Sequence, residues 1–432
     1  MPTKMSIKKN YLGIDFGTSG CRAVVINQEK HILACTEICY PPDSINANGT
    51  HEQDPAIWWL NFIQLINNLS NKIKLSSICR LAIDATSGTV LLADKNGKAI
   101  SPAIMYNDNR ADLEATQIKA LVPNNAAIHN SSSGIAKILW LKHHYQPDDS
   151  DLYLHQADWL LGQLTGNYTV TDYNNALKSG VDITSLQWPA WIEQLAIKAQ
   201  QLPSVTIPGT TVGAIKPSLV TQLGFSPELV VITGSTDSTA AVRATGAVNV
   251  GDAVSSLGSS LVIKIVSDTA ISNSKYGIYS QAYNGKYLVG GSSNSGAAVL
   301  KHYFTPTQMR HMSGSINPEK PTGLNYYPLL HNGERFPYND NNYPACLSPR
   351  PDEDIIFFQA ILEGIADIEY QCYQRLKEIG CPAVKQIFSV GGGSQNKVWT
   401  QIRQSRFSIP IITPKNCDAA YGSALLAQQS IS

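Results

Sequence analysis

The sequence feature that decides the fold is Leu12-Gly-Ile-Asp-Phe-Gly-Thr-Ser-Gly-Cys-Arg-Ala-Val24. Apolar residues on both sides of its Gly-Thr-Ser-Gly turn predict two strands joined by that turn. The turn offers unobstructed backbone N–H groups and two hydroxyls, which together suit phosphate oxygens. Asp15, at the end of the first strand, is a candidate ligand for hydrated Mg²⁺, an ion that takes one or two carboxylates together with substrate phosphates. A plain β-hairpin explains this segment equally well.

Two later segments also place a turn of small residues between a strand and a helix. Val230-Val-Ile-Thr-Gly-Ser-Thr-Asp237 ends a strand and opens a helix at Asp237. A helix N-terminus favours anions, so Asp237 is either a helix cap or a general base beside a bound phosphate. Gln386-Ile-Phe-Ser-Val-Gly-Gly-Gly-Ser-Gln-Asn396 supplies three successive glycines. These let a flat ligand or another backbone approach closely, and a strained turn is the alternative.

Other nucleotide-binding motifs are absent from the sequence. No G-x-x-x-x-G-K-[ST] loop occurs and no G-x-G-x-x-G opens a helix, which argues against P-loop and Rossmann sites. Asp15-Phe-Gly17 spells the D-F-G of protein kinases, but no H-R-D loop precedes it. Read in its context, this tripeptide belongs to the phosphate-binding turn described above.

Composition indicates a globular chain with several domains. A length of 432 residues suggests two or three domains, and 43% of the residues are hydrophobic while only 15% are charged, unlike a disordered chain. Lys+Arg and Asp+Glu both number 33, so no net charge draws the chain to nucleic acid. No apolar run is long enough to predict a membrane span. The eight cysteines lack zinc-ligand spacing, and we expect reduced thiols in a cytoplasmic protein.

Hydrophobic spacing locates the longer elements. Pro55 to Leu75 and Asp352 to Gly380 carry apolar residues at helical spacing, and a further helix is expected from Pro189 to Gln200. Asn284-Gly285 lies between two runs rich in Ser, Val, Ile and Tyr, a pattern that predicts a β-hairpin.

The three turn segments together resemble the phosphate-1, phosphate-2 and adenosine motifs of the FGGY family of carbohydrate kinases. The resemblance covers nearly the whole chain, because lesser blocks such as Asp158-Trp-Leu160 and Thr171-Asp-Tyr-Asn-Asn-Ala176 fit in order. It implies an α/β fold of two ribonuclease H-like domains, of the actin/Hsp70/hexokinase ATPase type, with a central cleft. We expect a sugar-binding domain over 1–244, joined by a C-terminal helix within 418–432, and a nucleotide-binding domain over 245–417.

The same resemblance implies roles for individual residues. Asp15 would organise Mg²⁺, and Asp237 would accept the proton of the attacking sugar hydroxyl. The nucleotide would be bound by Gly17, Thr18, Ser19, Gly258, Ser259, Gly391, Gly392, Asn396 and Trp399. ATP and Mg²⁺ are therefore the expected cofactors. A sugar and ATP are the expected partners of a monomer or homodimer that binds neither nucleic acid nor membrane.

Departures from the family pattern bear on the choice of sugar. The family's W-x-D-x-R block reads Tyr106-Asn-Asp108-Asn-Arg110 here, so Asp108 and Arg110 are either sugar contacts or a surface ion pair. Ile83-Asp-Ala-Thr-Ser-Gly-Thr89 replaces the Gln-Met-His stretch of xylulose kinases. It looks like the short cyanobacterial and plant kinases of D-ribulose, in which the serine that matches Ser87 contacts the ketose. The resemblance thus implies ATP-dependent conversion of D-ribulose to D-ribulose 5-phosphate.

Three alternatives stay open at the level of sequence. One is a kinase for D-xylulose or for a polyol such as glycerol. The second is a non-catalytic nucleotide switch or sugar sensor of the actin/Hsp70 type, and the third is a weak ATPase whose sugar site has decayed. Asp237 discriminates against a pure switch, because a switch needs no base facing a second substrate.

Overall fold

The computed structural model describes residues 9–40, 50–123 and 125–429. The backbone divides into two units, the first formed by 1–244 with 418–432 and the second by 245–417. Within the described ranges, no helix is both long and apolar enough to cross a membrane.

The first unit contains one six-stranded mixed sheet and two smaller sheets. Its strands are β1 (Asn10–Phe16), β2 (Gly20–Ile26), β3 (Ile32–Cys39), β4 (Glu52–Gln53), β5 (Ile78–Ala85), β6 (Val90–Ala93), β7 (Ala103–Ile104), β8 (Leu152–His155), β9 (Val170–Asp172), β10 (Ser204–Thr206), β11 (Thr211–Ala214) and β12 (Val230–Ile232). The main sheet has the order β11-β12-β5-β1-β2-β3, and smaller sheets have the orders β4-β7-β6-β8 and β10-β9. Because β12, β5 and β1 run parallel, their carboxyl ends meet at one edge of the main sheet.

The first unit also contains α-helices, some of which pack on its main sheet. They are α1 (Pro55–Ser70), α2 (Asp112–Leu121), α3 (Gly134–Tyr145), α4 (Gln156–Thr165), α5 (Tyr173–Ala176), α6 (Pro217–Leu223) and α7 (Asp237–Thr245). The predicted helix from Pro55 is confirmed: Asp54 caps it by accepting from Ala56 N, and it buries Trp58 and Phe62 in the core. The helix expected from Pro189 is wrong, because two 3₁₀ turns form instead and Ala196 between them has φ of 52°.

The second unit holds another six-stranded sheet. Its strands are β13 (Asp252–Leu257), β14 (Leu261–Ser267), β15 (Tyr279–Tyr283), β16 (Lys286–Ser293), β17 (Gln386–Val390) and β18 (Ile411–Ile412), and its helices are α8 (Ala297–Tyr303), α9 (Pro306–Ser313), α10 (Asp354–Glu378) and α11 (Lys397–Gln404). The order is β15-β16-β14-β13-β17-β18, with β13 parallel to β17. The hairpin at Asn284-Gly285 is confirmed as β15–β16, and the long predicted helix is α10.

The final helix, α12 (Ala419–Gln429), belongs to the first unit. Its small residues allow unusually close approach to the main sheet. A Cβ at Gly13 of β1 would lie 2.1 Å from Ala420 O, and one at Gly422 would lie 1.9 Å from Ala240 O of α7. These glycines are therefore required for α12 to pack beside the carboxyl ends of the parallel strands.

Candidate active site

Two carboxyl groups meet at the edge where the parallel strands of the first unit end. Asp15 of β1 lies opposite Asp84 of β5, and each of the two carboxyl groups shifts the pKa of the other. Ser423 of α12 donates to Asp84 Oδ2 at 2.5 Å. The Oδ1 atoms of Asp15 and Asp84 are buried and have no hydrogen-bond partner among the described residues.

Burial and crowding of negative charge raise the pKa of both carboxyl groups. For Asp15, burial is the main cause of a pKa raised to about 6, and the charges of Asp237 and Asp418 add to it. For Asp84, burial and then the charge of Asp15 raise the pKa well above its usual value. Arg22 of β2 donates to Asp418, which holds that fourth carboxylate in place. Such a cluster is stabilised when a cation enters it.

The carboxyl pair fits Mg²⁺. The two orphaned Oδ1 atoms are hard anionic ligands, and Mg²⁺ is typically bound by one or two carboxylates with phosphates and water completing its shell. The sequence prediction named Asp15 alone. The signal for Asp84 was present, because Ile83-Asp84 repeats the Ile14-Asp15 pattern at the end of a second parallel strand.

The turn after β1 is closed and anchored by backbone hydrogen bonds. Gly17 N donates to Gly20 O at 2.9 Å. The carbonyl of Thr18 accepts from Gln53 Nε2 at 3.1 Å, and the carbonyl of Ser19 accepts from Tyr40 N at 2.8 Å. These hydrogen bonds fix the turn formed by Gly17, Thr18 and Ser19, which follows Asp15 and Phe16.

Asp237 lies in the first turn of α7, one residue beyond the cap position. Thr236 takes that position, since its carbonyl accepts from Thr239 N at 3.0 Å and from Ala240 N at 2.9 Å. Thr236 also forms a parallel bridge with Ala85, at the end of β5. The Asp237 side chain itself contacts the helix start, because Oδ1 accepts from Ser238 N at 2.6 Å. The chain places its carboxylate near Asp15 and Asp84, whose pKa values it raises.

The turn that carries Ser87 connects β5 to β6. Its first and last side chains bond each other, with 2.6 Å between Thr86 Oγ1 and Thr89 Oγ1. Gln156 at the start of α4 accepts from Thr86 N at 3.2 Å and from Thr86 Oγ1 at 2.7 Å. Ser87 is half-buried at the tip of this turn, and Gly88 beside it has φ of 88°, a conformation that favours glycine.

Asp108 and Arg110 form an ion pair in which Asp108 is buried and Arg110 is half-buried. Arg110 donates to Asp108 through Nε at 2.9 Å and Nη2 at 2.7 Å, and through Nη1 to Glu52 at 2.5 Å. Backbone N–H groups of His51 and Arg110 also donate to Asp108. Burial raises the pKa of Asp108, but these hydrogen bonds outweigh it and lower the pKa overall.

The four hydrogen bonds to Asp108 occupy the acceptor positions of its carboxylate. Asp108 therefore orients Arg110, and a sugar contact by either residue stays a prediction. Arg110 also lies over the ring of Trp140, with its guanidinium carbon 4.9 Å from the ring centroid.

A cavity of about 670 Å³ lies in the second unit, where β13 and β17 end. The predicted nucleotide residues Gly258, Ser259, Gly392, Asn396 and Trp399 all line it. Gly391 lies next to the cavity, and a Cβ there would come within 2.9 Å of Leu257 in β13.

The side chains around this cavity suit a ligand with an apolar ring system and several negative charges. Met309 and Phe358 supply apolar surface, and Lys301, Arg310 and Lys397 supply three cations. No carboxylate occurs among the described residues that line the cavity. Most of these residues come from helices far from the glycine turn in the chain, whereas Lys397 directly follows Asn396 at the end of that turn.

Trp399 and Asn396 fix the glycine turn beneath the cavity. Trp399 is 2% exposed and donates through Nε1 to Leu362 O at 3.1 Å. Asn396 caps α11 by accepting from Trp399 N at 3.1 Å and donates to Ser313 Oγ at 2.9 Å. Trp399 thus contributes to the cavity mainly as packing below it.

Comparison with known proteins decides the family. Residues 10–243 match the N-terminal domain of the FGGY family of carbohydrate kinases, and residues 253–430 match its C-terminal domain. The chain belongs to this family. The family resemblance and the two-domain α/β fold expected from the sequence are confirmed. The protein is an FGGY sugar kinase, a phosphotransferase with an alcohol group as acceptor.

Similar proteins include kinases named for different acceptors. Xylulose kinase of Bacillus subtilis is 26% identical over 97% of this chain and 88% of its own length, and gluconokinase of the same organism is 23% identical over 95% and 85%. Among solved structures, a xyloylose kinase from Brucella ovis gives a TM-score of 0.89 at 24% identity, covering 97% of this chain and 90% of that one. Glycerol kinase of Plasmodium falciparum with ADP gives 0.84 at 21% identity, covering 97% and 89%.

Proposed function

We propose that this FGGY kinase transfers the γ-phosphoryl group of ATP to a free ketopentose, converting D-ribulose to D-ribulose 5-phosphate. The first unit would bind the sugar and the second would bind the adenosine. The bridge between Ala85 and Thr236 is the observation that carries the proposal. It brings Ser87, the expected sugar contact, and Asp237, the expected base, just beyond the ends of neighbouring strands.

Asp237 would orient and deprotonate the attacking hydroxyl. The hydroxyl oxygen forms a bond to the γ-phosphorus, the bond from that phosphorus to the ADP oxygen breaks, and the hydroxyl proton goes to a carboxylate oxygen of Asp237. The first turn of α7 favours the ionised carboxylate, because a helix N-terminus carries partial positive charge. A single base suffices here, since phosphoryl transfer depends mostly on positioning and charge stabilisation.

Asp15 and Asp84 would hold Mg²⁺, which neutralises phosphate oxygens when it is bound. Ser423 would keep Asp84 oriented through its hydrogen bond to Oδ2, so that the Oδ1 atoms of both carboxylates are left for the ion. The turn at Gly17 would supply backbone N–H groups and hydroxyls to the phosphates.

The cavity of the second unit would bind the adenosine of ATP. Its apolar lining suits a nucleobase, and its three cations suit phosphate groups.

D-Ribulose is proposed over D-xylulose because of the turn between β5 and β6. A Thr-Ser-Gly-Thr sequence occupies the position where xylulose kinases usually carry Gln-Met-His. The Ser87 hydroxyl both donates and accepts hydrogen bonds, and a site built around one sugar hydroxyl discriminates strongly against its epimer. The named relatives act on xylulose, gluconate and glycerol, so D-xylulose and polyols are the alternatives to test.

A coupled ADP-release assay over pentuloses, pentoses, polyols and gluconate tests the proposal. We expect kcat/KM for D-ribulose to exceed that for D-xylulose by at least about tenfold. Ser87→Ala should lower kcat/KM for D-ribulose while leaving the KM for ATP unchanged, and Ser185→Ala, at an exposed serine of the same unit, is the matched control. A clear preference for D-xylulose, gluconate or glycerol would overturn the sugar assignment.

A further inference from the structure

Two lysines donate to consecutive carbonyl groups of the turn that carries Ser87. Lys178 Nζ lies 3.3 Å from Ser87 O, and Lys137 Nζ lies 3.0 Å from Gly88 O. Lys137 also donates to Met105 O at 2.5 Å, immediately before the Tyr106–Arg110 block. Both peptide groups at the tip of the turn are therefore anchored by side chains from other parts of the fold.

Lys137, on α3, is fully buried. An ammonium group is costly to bury unless its hydrogen bonds are made. Burial, with the positive charge of Lys178 as the next cause, lowers the pKa of Lys137 to about 7. An apolar side chain would be easier to accommodate in this interior, so the two carbonyl groups that Lys137 binds explain its presence.

Lys178 belongs to a short 3₁₀ turn (Leu177–Ser179) that is itself fixed by a buried chain of hydrogen bonds. His155 Nε2 lies 2.9 Å from Ser179 Oγ, and His155 Nδ1 lies 2.7 Å from Asp158 Oδ2. All three side chains are at most 2% exposed. This order of groups resembles a hydrolytic triad, but Ser179 is completely buried and no substrate reaches it. This series of hydrogen bonds therefore fixes the backbone from which Lys178 extends.

The stem of Lys178 also packs on the turn. A Cβ built on Gly88 would lie 3.3 Å from Lys178 Cδ, so the lysine stem covers the face of the glycine. Removal of the ammonium alone would free the Ser87 peptide group to rotate while the packing of the stem is kept. Small displacements of a positioning group have large effects on reactions that depend on substrate geometry.

We propose that Lys178 is a positioning residue of the sugar site which, together with Lys137, holds Ser87 where it distinguishes sugar epimers. The inference rests on the proposed function, because it takes Ser87 as a sugar contact. It concerns sugar choice alone, since neither lysine lines the cavity of the second unit.

The test is Lys178→Met, which keeps the stem and removes the ammonium. Lys142→Met is the matched control, because Lys142 is also half-buried and lies on α3 without contacting the turn. We expect Lys178→Met to lower kcat/KM for D-ribulose by at least about fivefold and to bring the ratio of D-ribulose to D-xylulose activity toward one. The KM for ATP should stay within about twofold of wild type, and Lys178→Arg, which restores a donor, should recover most of the ratio. Lys137→Met should shift the ratio in the same direction.

The inference is overturned if Lys178→Met leaves the epimer ratio unchanged. It is also overturned if sugar and ATP parameters fall together with the melting temperature, because that pattern reports a structural role. If the wild-type kinase prefers another sugar, the sugar assignment fails but the inference does not, and the ratio for that sugar and its epimer is measured instead. A wild-type protein that phosphorylates no sugar contradicts both.

Discussion

Asp15 and Asp84 lie opposite each other on neighbouring parallel strands, and each carboxyl group shifts the pKa of the other. Neighbouring carboxylates repel each other when both are ionised, so a bound proton or cation stabilises the pair. The pair leads to two predictions about the binding of metal ions.

Replacement of Asp84 should weaken metal binding without unfolding the protein. Asp84→Asn keeps the shape and the contact with Ser423 but removes one anionic ligand. We expect the apparent affinity for Mg²⁺ in the kinase assay to fall by about 10–100-fold, the range typical when groups that support a metal site are lost. Asp112→Asn, at an exposed aspartate of α2, is the control. An Asp84→Asn enzyme with unchanged Mg²⁺ dependence would remove Asp84 from the metal site.

Metal binding should strengthen as the pH rises. Metals bind ionised carboxylates, so every proton on the pair competes with the ion. Burial raises the pKa of both carboxyl groups, that of Asp15 to about 6, so a falling pH loads the pair with protons that the ion must displace. Mn²⁺ titrations of the nucleotide-free protein, followed by electron paramagnetic resonance, measure this slope. A pH-independent affinity between pH 5 and about pH 8 contradicts the pairing.

Neighbouring glycines of the β17 turn should separate nucleotide binding from stability. A Cβ at Gly392 meets nothing within 4 Å, whereas a Cβ at Gly393 would lie 2.4 Å from the ring of Trp399. We expect Gly392→Ala to raise the KM for ATP with little change in melting temperature, because its methyl group enters the cavity. Gly393→Ala should lower the melting temperature, because the buried indole must move.

Trp399→Ala differs from both glycine variants. It empties a buried site, and loss of a core aromatic typically costs about 3–5 kcal/mol of stability. We expect a lower melting temperature together with a higher KM for ATP, measured by thermal melting and steady-state kinetics.

A Gly392→Ala enzyme with a normal KM for ATP would argue against the cavity as the nucleotide site.

Local sequence patterns predicted the parts of the site that lie within single segments. Asp15 with its turn, Asp237 at a helix start and the three glycines after β17 each follow from a strand, a turn and the residues beside it. The long helix α10 was equally clear, because its apolar spacing persists over many turns.

The features that sequence reasoning missed depend on contacts between distant segments. The partnership of Asp84 with Asp15 requires the parallel register of β1 and β5, and Ser423 joins it from α12 at the other end of the chain. The ion pair of Arg110 likewise requires Glu52 from a different segment. Pro189 to Gln200 failed as a helix because Ala196 turns the backbone to positive φ, which its apolar spacing does not reveal.

We propose Asp237 as the base of this sugar kinase, and the Asp237→Asn variant tests that role. The variant keeps the size of the side chain but cannot accept the proton. With saturating D-ribulose and ATP, we predict a fall in turnover of about 10²–10⁴-fold, the usual contribution of a general base, with ATP affinity and melting temperature close to wild type. Near-normal turnover in the Asp237→Asn enzyme would contradict the mechanism.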